Sequence, residues 1–417
     1  MNKILFMLLI GLLIPNTLAY SQSYYDPYTM TQKGFSGITG LTMIEEVVED
    51  GTGERVPFFR FQLRPEINLD RVGIGFDAVL LYNPDEGIRG EYGEKWDSLG
   101  DYLRAIRYFR YGRRREPLYF VYGALENMYI GHGLIMGGYS NYDRRGLRFD
   151  FNTSVFGAEA ILNNLAEPSI LGGRIYLRPF QYLDIATLIN RVTFGATYIT
   201  DVDPDPEFDS EDPLAAYSLD LSIPIIEALG LEIYSELASL SGLVPYETGV
   251  GYAVGTGMEK FNANFKIEYR IFDEYFQPTP FDYIYEASKP LAPTINEGGQ
   301  TGIYSLLTYY LPEKLWGSVA YENYTLSAPN LYGELVEIGL IDELSLRMFY
   351  VKHEIEYFND IFDLDEKSAF TIRVGFEVYP PLELVMLHEF RFREREDEEG
   401  FETIRKTSFE LGVNVQF

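Results

Sequence analysis

The sequence predicts an all-β fold, a transmembrane antiparallel up-and-down β-barrel of about 18 strands (about 16 to 20) closed by its C-terminal strand. Three observations predict it. Segments of about ten residues alternate apolar and polar side chains, the length a tilted strand needs to cross a bilayer. Aromatic residues make up 16% of the chain, with 34 Tyr and 29 Phe against 2 Trp. Beyond the N-terminus no apolar run is long enough for a membrane-spanning helix.

The N-terminus comes first. Asn2-Lys3 is a short positive start, Ile4 to Ile14 is apolar, Pro15 stops the run, and Ala19 supplies a small residue for cleavage. That is the pattern of a secretory signal peptide, too short to span a bilayer. Residues 1–19 are therefore set apart from the fold, and 20–417 are expected to form one barrel domain. The polar and aromatic stretch 20–33 is expected to be disordered or to lie in the lumen. An exported chain of 417 residues without any Cys must hold together by packing and backbone hydrogen bonds. Asp and Glu number 63 against 34 Lys and Arg, a net charge of −29. That field repels phosphate backbones and argues against nucleic acid as a partner.

The strands follow in order. Phe59, Phe61, Leu63, Ile67 and Leu69 oppose Arg60, Gln62, Arg64, Glu66 and Asn68. Leu147, Phe149 and Phe151 oppose Arg148, Asp150 and Asn152, and Tyr217, Leu219 and Leu221 oppose Ser218, Asp220 and Ser222. Phe261, Ala263, Phe265, Ile267, Tyr269 and Ile271 oppose Asn262, Asn264, Lys266, Glu268 and Arg270. Phe370, Ile372, Val374, Phe376 and Val378 oppose Thr371, Arg373, Gly375 and Glu377. In the last strand Phe409, Leu411, Val413, Val415 and Phe417 share one face. A soluble sandwich alternates too, but such aromatic faces, sustained from near residue 57 to the last residue, favour a closed barrel without open edges.

Between strands, Leu69 to Val72 and Tyr111 to Pro117 read as tight hairpin turns. Long polar stretches at 83–100, 201–213, 272–301 and 394–402 read as external loops, with 272–301 long enough to fold inward. Pro224 to Leu229 and Phe180 to Asn190 could each hold a helical turn.

The chain's last eight residues carry a resemblance. Glu410, Gly412, Val415 and Phe417 fill the four defined positions of the C-terminal insertion signal of bacterial outer-membrane β-barrel proteins, which it resembles over the final strand alone. The resemblance implies insertion by the barrel assembly machinery, outer-membrane lipid as surroundings, and residence in a diderm envelope.

The polar faces give the candidate site residues. Arg60, Arg64, Glu66, Arg104, Arg107, Lys266, Glu268, Arg270, Arg373, Glu377, Glu389 and Arg391 are expected to line the lumen. Arg104, Arg107, Arg110, Arg113, Arg114 and Arg115 crowd one short stretch, and those on a luminal face would set a transverse field. The carboxylates of 201–212 read as a solvated loop, because Pro206 stands where a calcium loop needs Gly. Gly249, Gly251 and Gly255 share a strand face and suit close packing against something inside the barrel. His353-Glu354 and His388-Glu389 are sequence neighbours, so on strands they point apart and make no dyad. His132 sits between Gly131 and Gly133 with no hydrolase motif around it.

The expectation is a passive, porin-like diffusion channel for small solutes. No catalysis, cofactor or metal is expected, and a homo-oligomer is allowed. A non-conducting barrel serving as anchor or partner in a secretion or adhesion assembly is the alternative reading, and a membrane hydrolase the third.

Overall fold

Alternate side chains leave opposite faces of an extended backbone, so the period-two pattern becomes strands. The computed structural model describes residues 34–48, 55–69, 71–85, 87–89, 105–114, 116–141, 144–183, 188–204, 213–243, 247–283, 285–287, 298–311, 314–337, 339–365, 367–379, 382–394 and 401–416. Its described side chains exclude 34–48, 55–58, 60, 62, 89, 389, 391–394 and all of 401–416 except 407 and 409. Residues 1–33, with the expected signal peptide, lie outside the described residues, as do Arg104, Arg115 and Phe417.

The wall begins with β1 (Gly34–Val48), β2 (Arg55–Leu69), β3 (Val72–Phe76), β4 (Ala78–Asn83), β5 (Gly87–Arg89), β6 (Ile106–Tyr111) and β7 (Leu118–Gly123). A separate hairpin follows, β8 (Met128–Ile130) and β9 (Met136–Tyr139). The wall resumes with β10 (Gly146–Asn152), β11 (Phe156–Leu162), β12 (Ile170–Leu177), β13 (Thr193–Asp201), β14 (Leu214–Ile226), β15 (Leu231–Ser241) and β16 (Thr248–Lys260). It ends with β17 (Ala263–Phe272), β18 (Gln300–Leu311), β19 (Leu315–Tyr324), β20 (Ser327–Glu337), β21 (Leu344–Lys352), β22 (Ser368–Tyr379), β23 (Leu382–Glu394) and β24 (Phe401–Gln416).

Twenty-two strands form one sheet, and β8 with β9 forms another. Pairing is antiparallel between chain neighbours, and β7 skips the hairpin to pair with β10. On its outer side β1 pairs with β24, with Ser36 opposite Gln416 and Leu41 opposite Leu411. The count among the described residues therefore differs from the expected 18, although the twenty-two segments fill only twenty positions along the wall. β1 escaped the pattern because Gly34, Gly37, Gly40, Thr39 and Thr42 blur its apolar face. β3 and β4 also lie in line along β2, and β5 and β6 lie in line along β4 and β3.

The faces are sorted the opposite way from a water-soluble sandwich. Along β17 Asn264, Lys266, Glu268 and Arg270 are buried, while Phe265, Ile267, Tyr269 and Ile271 are exposed. β14 repeats this with Ser218, Asp220 and Ser222 inside and Tyr217, Leu219 and Leu221 outside. Phe59, Phe61, Leu63, Ile67 and Leu69 are exposed in the same way. Each large apolar side chain left in water forfeits about 1.5–3 kcal/mol, so this outer surface suits hydrocarbon. Exposed aromatics mark both strand ends, Tyr182, Phe261 and Tyr379 at one and Tyr357, Phe358 and Phe362 at the other. Among the described residues no helix is long and apolar enough to cross a membrane.

The predicted turns form at Leu69–Val72, which face each other in register, and between β6 and β7. A short 3-10 helix at Glu227–Leu229 falls within the first expected helical turn, and one at Ile189–Arg191 overlaps only the end of the second. Phe261 is a correction. It leaves the strand for a two-residue turn with Asn262, both at positive φ (55° and 60°), as the twist-compatible hairpin turn requires.

Candidate luminal plug and charged wall

Two long connections leave the same end of the sheet and turn inward. The first carries β8 and β9 between β7 and β10; the second follows β17. Leu125, Met128, Ile130, Leu134, Ile135 and Met136 from the first are buried with Phe276, Phe281 and Tyr285 from the second. Backbone bonds join the two: Thr279 N–H donates to Leu134 O (2.9 Å), Phe281 N–H to Ile135 O (3.2 Å) and Gly137 N–H to Phe281 O (3.1 Å). The Tyr129 and Tyr283 hydroxyls meet at 2.7 Å. Together they make a plug. This corrects the reading of 272–301 as an external loop over its described part, and the cause is composition: Phe276, Phe281, Tyr283 and Tyr285 lose too much in water.

Room for the plug comes from β16. A side chain at Gly249 would strike the Tyr275 backbone, and one at Gly251 would come within 2.5 Å of the Phe276 ring. Gly249 and Gly251 of the glycine face are therefore where the wall and the plug touch, while Gly255 makes room for Tyr234 and Glu268 of the wall itself. Asp201 likewise is not a solvated loop carboxylate: it is fully buried and accepts from the Tyr285 hydroxyl at 2.8 Å. Residues 205–212 lie outside the described residues.

The wall facing the plug carries two groups of ion pairs. Arg148 binds Asp150 (2.8 Å) and Glu159 (3.1 Å), and Arg174 binds Glu159 (3.3 Å) and Asp220 (2.6 Å). On β17 Glu268 bridges Lys266 (2.7 Å) and Arg270 (2.6 Å), and Arg270 also donates to the Tyr324 hydroxyl (3.0 Å). Desolvating two charges offsets much of their attraction, so such pairs add little net stability, yet removing one partner costs about 3–5 kcal/mol.

Several ions hold the plug directly. Arg148 donates to Tyr129 O (2.9 Å), Lys266 to His132 O, Arg270 to the Thr279 hydroxyl (3.2 Å), and Leu134 N–H to Glu236 (3.4 Å). His132 lies 3.6 Å from Asp220 and 4.0 Å from Glu232, with its ring stacked on Tyr234 at 4.0 Å. Other groups on this wall are buried without a hydrogen-bond partner: Thr197 Oγ1, Ser222 Oγ and both polar side-chain atoms of Asn264. Each such group costs about 1–3 kcal/mol, so burial is not the state these groups favour.

The opposite wall is looser. Arg347 binds Glu126 of the plug (2.6 Å) and Glu334 (3.1 Å), and its side chain is 35% exposed where that of Arg270 is 1%. Arg373 stands opposite Arg347 in register and is half-buried, and Glu377 stands opposite Glu383.

Of the residues singled out in the sequence, Lys266, Glu268 and Arg270 form the buried triad, and Arg373 and Glu377 belong to the looser wall. Arg64 donates to Asp77 at 3.0 Å, and Arg107 pairs with Glu66 beside a register shift between β3 and β6. Those five sites do not gather into one constellation. Arg110 is buried against Asn68 and Gly112 O, Arg114 is buried 3.9 Å from Asp150, and Arg113 is exposed. The arginine stretch is thus divided rather than a single ring. Arg104 lies outside the described residues, and the side chains of Arg60, Glu389, Arg391 and Glu410 are not described; Gly412 and Val415 lie within β24. His353 meets Tyr332 edge-on, and His388 Nδ1 lies 2.8 Å from the Thr407 hydroxyl.

The sequence missed the plug residues Glu126, Tyr129 and Tyr283 and wall residues such as Glu236, Glu322 and Arg347. The available clue was the concentration of apolar and aromatic residues in 124–139 and 275–285, too long for turns.

No protein-family model matches the chain, and no curated protein matches it. Among solved structures it is similar to Wzi, an outer membrane protein involved in group 1 capsule assembly in Escherichia coli described as a carbohydrate-binding β-barrel. The identity is 12%, covering 92% of this chain and 85% of that one, with a TM-score of 0.34. The copper transporter OprC matches at 7% identity over 92% and 81% of the two chains, TM-score 0.34. OccK10 (OpdN) of Pseudomonas aeruginosa matches at 12% over 93% and 98%, TM-score 0.31.

Proposed function

We propose that the protein is a bacterial outer-membrane β-barrel that passes small solutes by diffusion, along a narrow path between its plug and the β20–β23 wall. One observation carries the reading: the sheet is apolar outside and ionic inside, and the ions on β21 and β22 stay half-exposed while those on β17 do not. In this reading the pairing of β1 with β24 closes the wall, leaving no edge for lipid to solvate. Arg347 and Arg373 would face Glu126, Glu334, Glu377 and Glu383 along the path, and charges of both signs sort ions by sign and size. The N-terminal pattern supports export, and Glu410, Gly412, Val415 and Phe417 support insertion by the barrel assembly machinery.

The test uses the purified full-length chain in a planar bilayer. Stepwise conductance is the expected result. Silence across several salts would replace the channel with the second reading, a non-conducting barrel in an envelope assembly, which the dense packing of the plug against β14–β19 favours. Deleting Phe417 should sharply reduce recovery in the outer-membrane fraction; unchanged recovery would remove the insertion signal from the account.

A further inference from the structure

The plug is held to the wall by its tip. That tip, Gly131-His132-Gly133, joins β8 to β9 with both glycines at positive φ (62° and 87°). L side chains rarely adopt that conformation, so the glycines let a single imidazole project between strands. His132 is 2% exposed and lies on β14 and β15, where Asp220 and Glu232 flank it and Tyr234 stacks on it. The other charged groups facing it are Glu236 of β15, Arg174 of β12 and Lys266 of β17, while Tyr234 is engaged through its hydroxyl by Glu268. Carboxylates dominate that set, so a protonated ring is held and a neutral one is not.

We propose that the β8–β9 hairpin is a releasable gate whose latch is His132, docked on Asp220 and Glu232 when charged and loosened when neutral. What lies beside it fits a surface meant to be uncovered. Thr197 Oγ1, next to Gly131 of the tip, is buried without a partner, as are Ser222 Oγ and Asn264 on the neighbouring strands that carry Asp220 and Lys266, and water would satisfy Thr197 once the hairpin lifts. The hairpin's other polar ties to the wall are single contacts: Lys266 to His132 O, Leu134 N–H to Glu236, Arg148 to Tyr129 O, and Glu126 to Arg347, beside the apolar packing of its buried side chains.

The direction with pH follows from the same contacts. Burial pushes the His132 pKa down, but Asp220 and Glu232 outweigh burial and the Arg174 charge, and the ring titrates above its ordinary value. A group raised in this way stabilises the docked state in full below its unpaired value and loses that contribution as pH rises through the raised one. The gate is therefore shut in acid and released toward alkaline pH.

The chain contains no Cys, so one engineered thiol reports gate opening without background. Thr197→Cys lies beside the hairpin tip at Gly131 and is buried, and Arg71→Cys in the β2–β3 turn serves as the exposed reference. Maleimide labelling of the first, divided by the second, removes the thiol's own pH dependence. Between about pH 5.5 and about pH 8.5 the ratio should climb, by no more than about tenfold per unit, the limit for one linked proton. His132→Gln, with no proton to lose, should flatten it. A flat ratio in the parent, or an unchanged slope in His132→Gln, overturns the gate. Should His132→Gln fail to fold, the parent slope alone still decides. The labelling arm is independent of the channel reading: a sloping ratio with bilayers silent at every pH leaves the gate standing and sinks the channel. Conductance with a flat ratio does the reverse.

Discussion

The inner face of β10–β19 and that of β20–β22 carry the same residue types under different conditions. On the first, Arg148, Arg174, Lys266 and Arg270 are nearly inaccessible, each matched to carboxylates and pressed by the plug. On the second, Arg347 keeps a third of its surface exposed and reaches out to the plug through Glu126. The same charged residue types thus stand in two settings. Desolvated and fully paired, a charge fixes where the inserted segments sit. Half-solvated, it stays available to water and, in the proposed channel, to a passing ion.

The largest effect should come from the tight side. Arg270→Ala leaves Glu268 partly paired and Tyr324 without its donor, and should cost about 3–5 kcal/mol, read by urea unfolding in detergent; a loss under about 1 kcal/mol would erase the contrast. Turning to the outside of the same wall, Leu219→Arg puts a charge on the outward face of β14. In lipid it should cost about 2–4 kcal/mol if Leu219 sits near the bilayer midplane, measured by folding into vesicles, and a neutral effect would deny that this face meets hydrocarbon. Gly251→Leu sits between those and the loose side. It drives a side chain into Phe276 and should cost about 1–3 kcal/mol, with raised proteolysis at 273–287 as the sign that the second plug segment has lifted. The smallest effect on stability belongs to Arg347→Ala, about 1–2 kcal/mol, since Arg347 is itself a third exposed but its loss leaves the buried Glu334 without a cation. Its place in the proposed path means conductance should change while the unfolding midpoint moves less than in the other three.

That ordering also explains what was legible in the sequence. The wall could be read because alternation is local: Phe265, Ile267, Tyr269 and Ile271 announce their face without reference to any other strand. β1 could not, since Gly37, Thr39 and Gly40 satisfy either face, and its pairing with β2 and β24 decides instead. The glycines of β16 hinted at an internal neighbour but not at which one. The candidate site was legible only in part. Lys266, Glu268 and Arg270 were picked out by their strand phase. Their partnership with His132 and Thr279 joins segments far apart in the chain, and no local pattern encodes it. The arginine stretch misled by density alone: a register shift near Arg107 and a turn at Gly112 send its members in different directions.

In the proposed channel, solutes pass along the looser wall and not through the packed one. Reversal potentials across a salt gradient test it most directly, comparing Arg373→Glu on the looser wall with the parent chain and with Asn264→Asp on the packed one. The account predicts stepwise conductance in all three, a shift toward cation preference in Arg373→Glu, and a parent-like reversal potential in Asn264→Asp. A shift in Asn264→Asp with none in Arg373→Glu would contradict it.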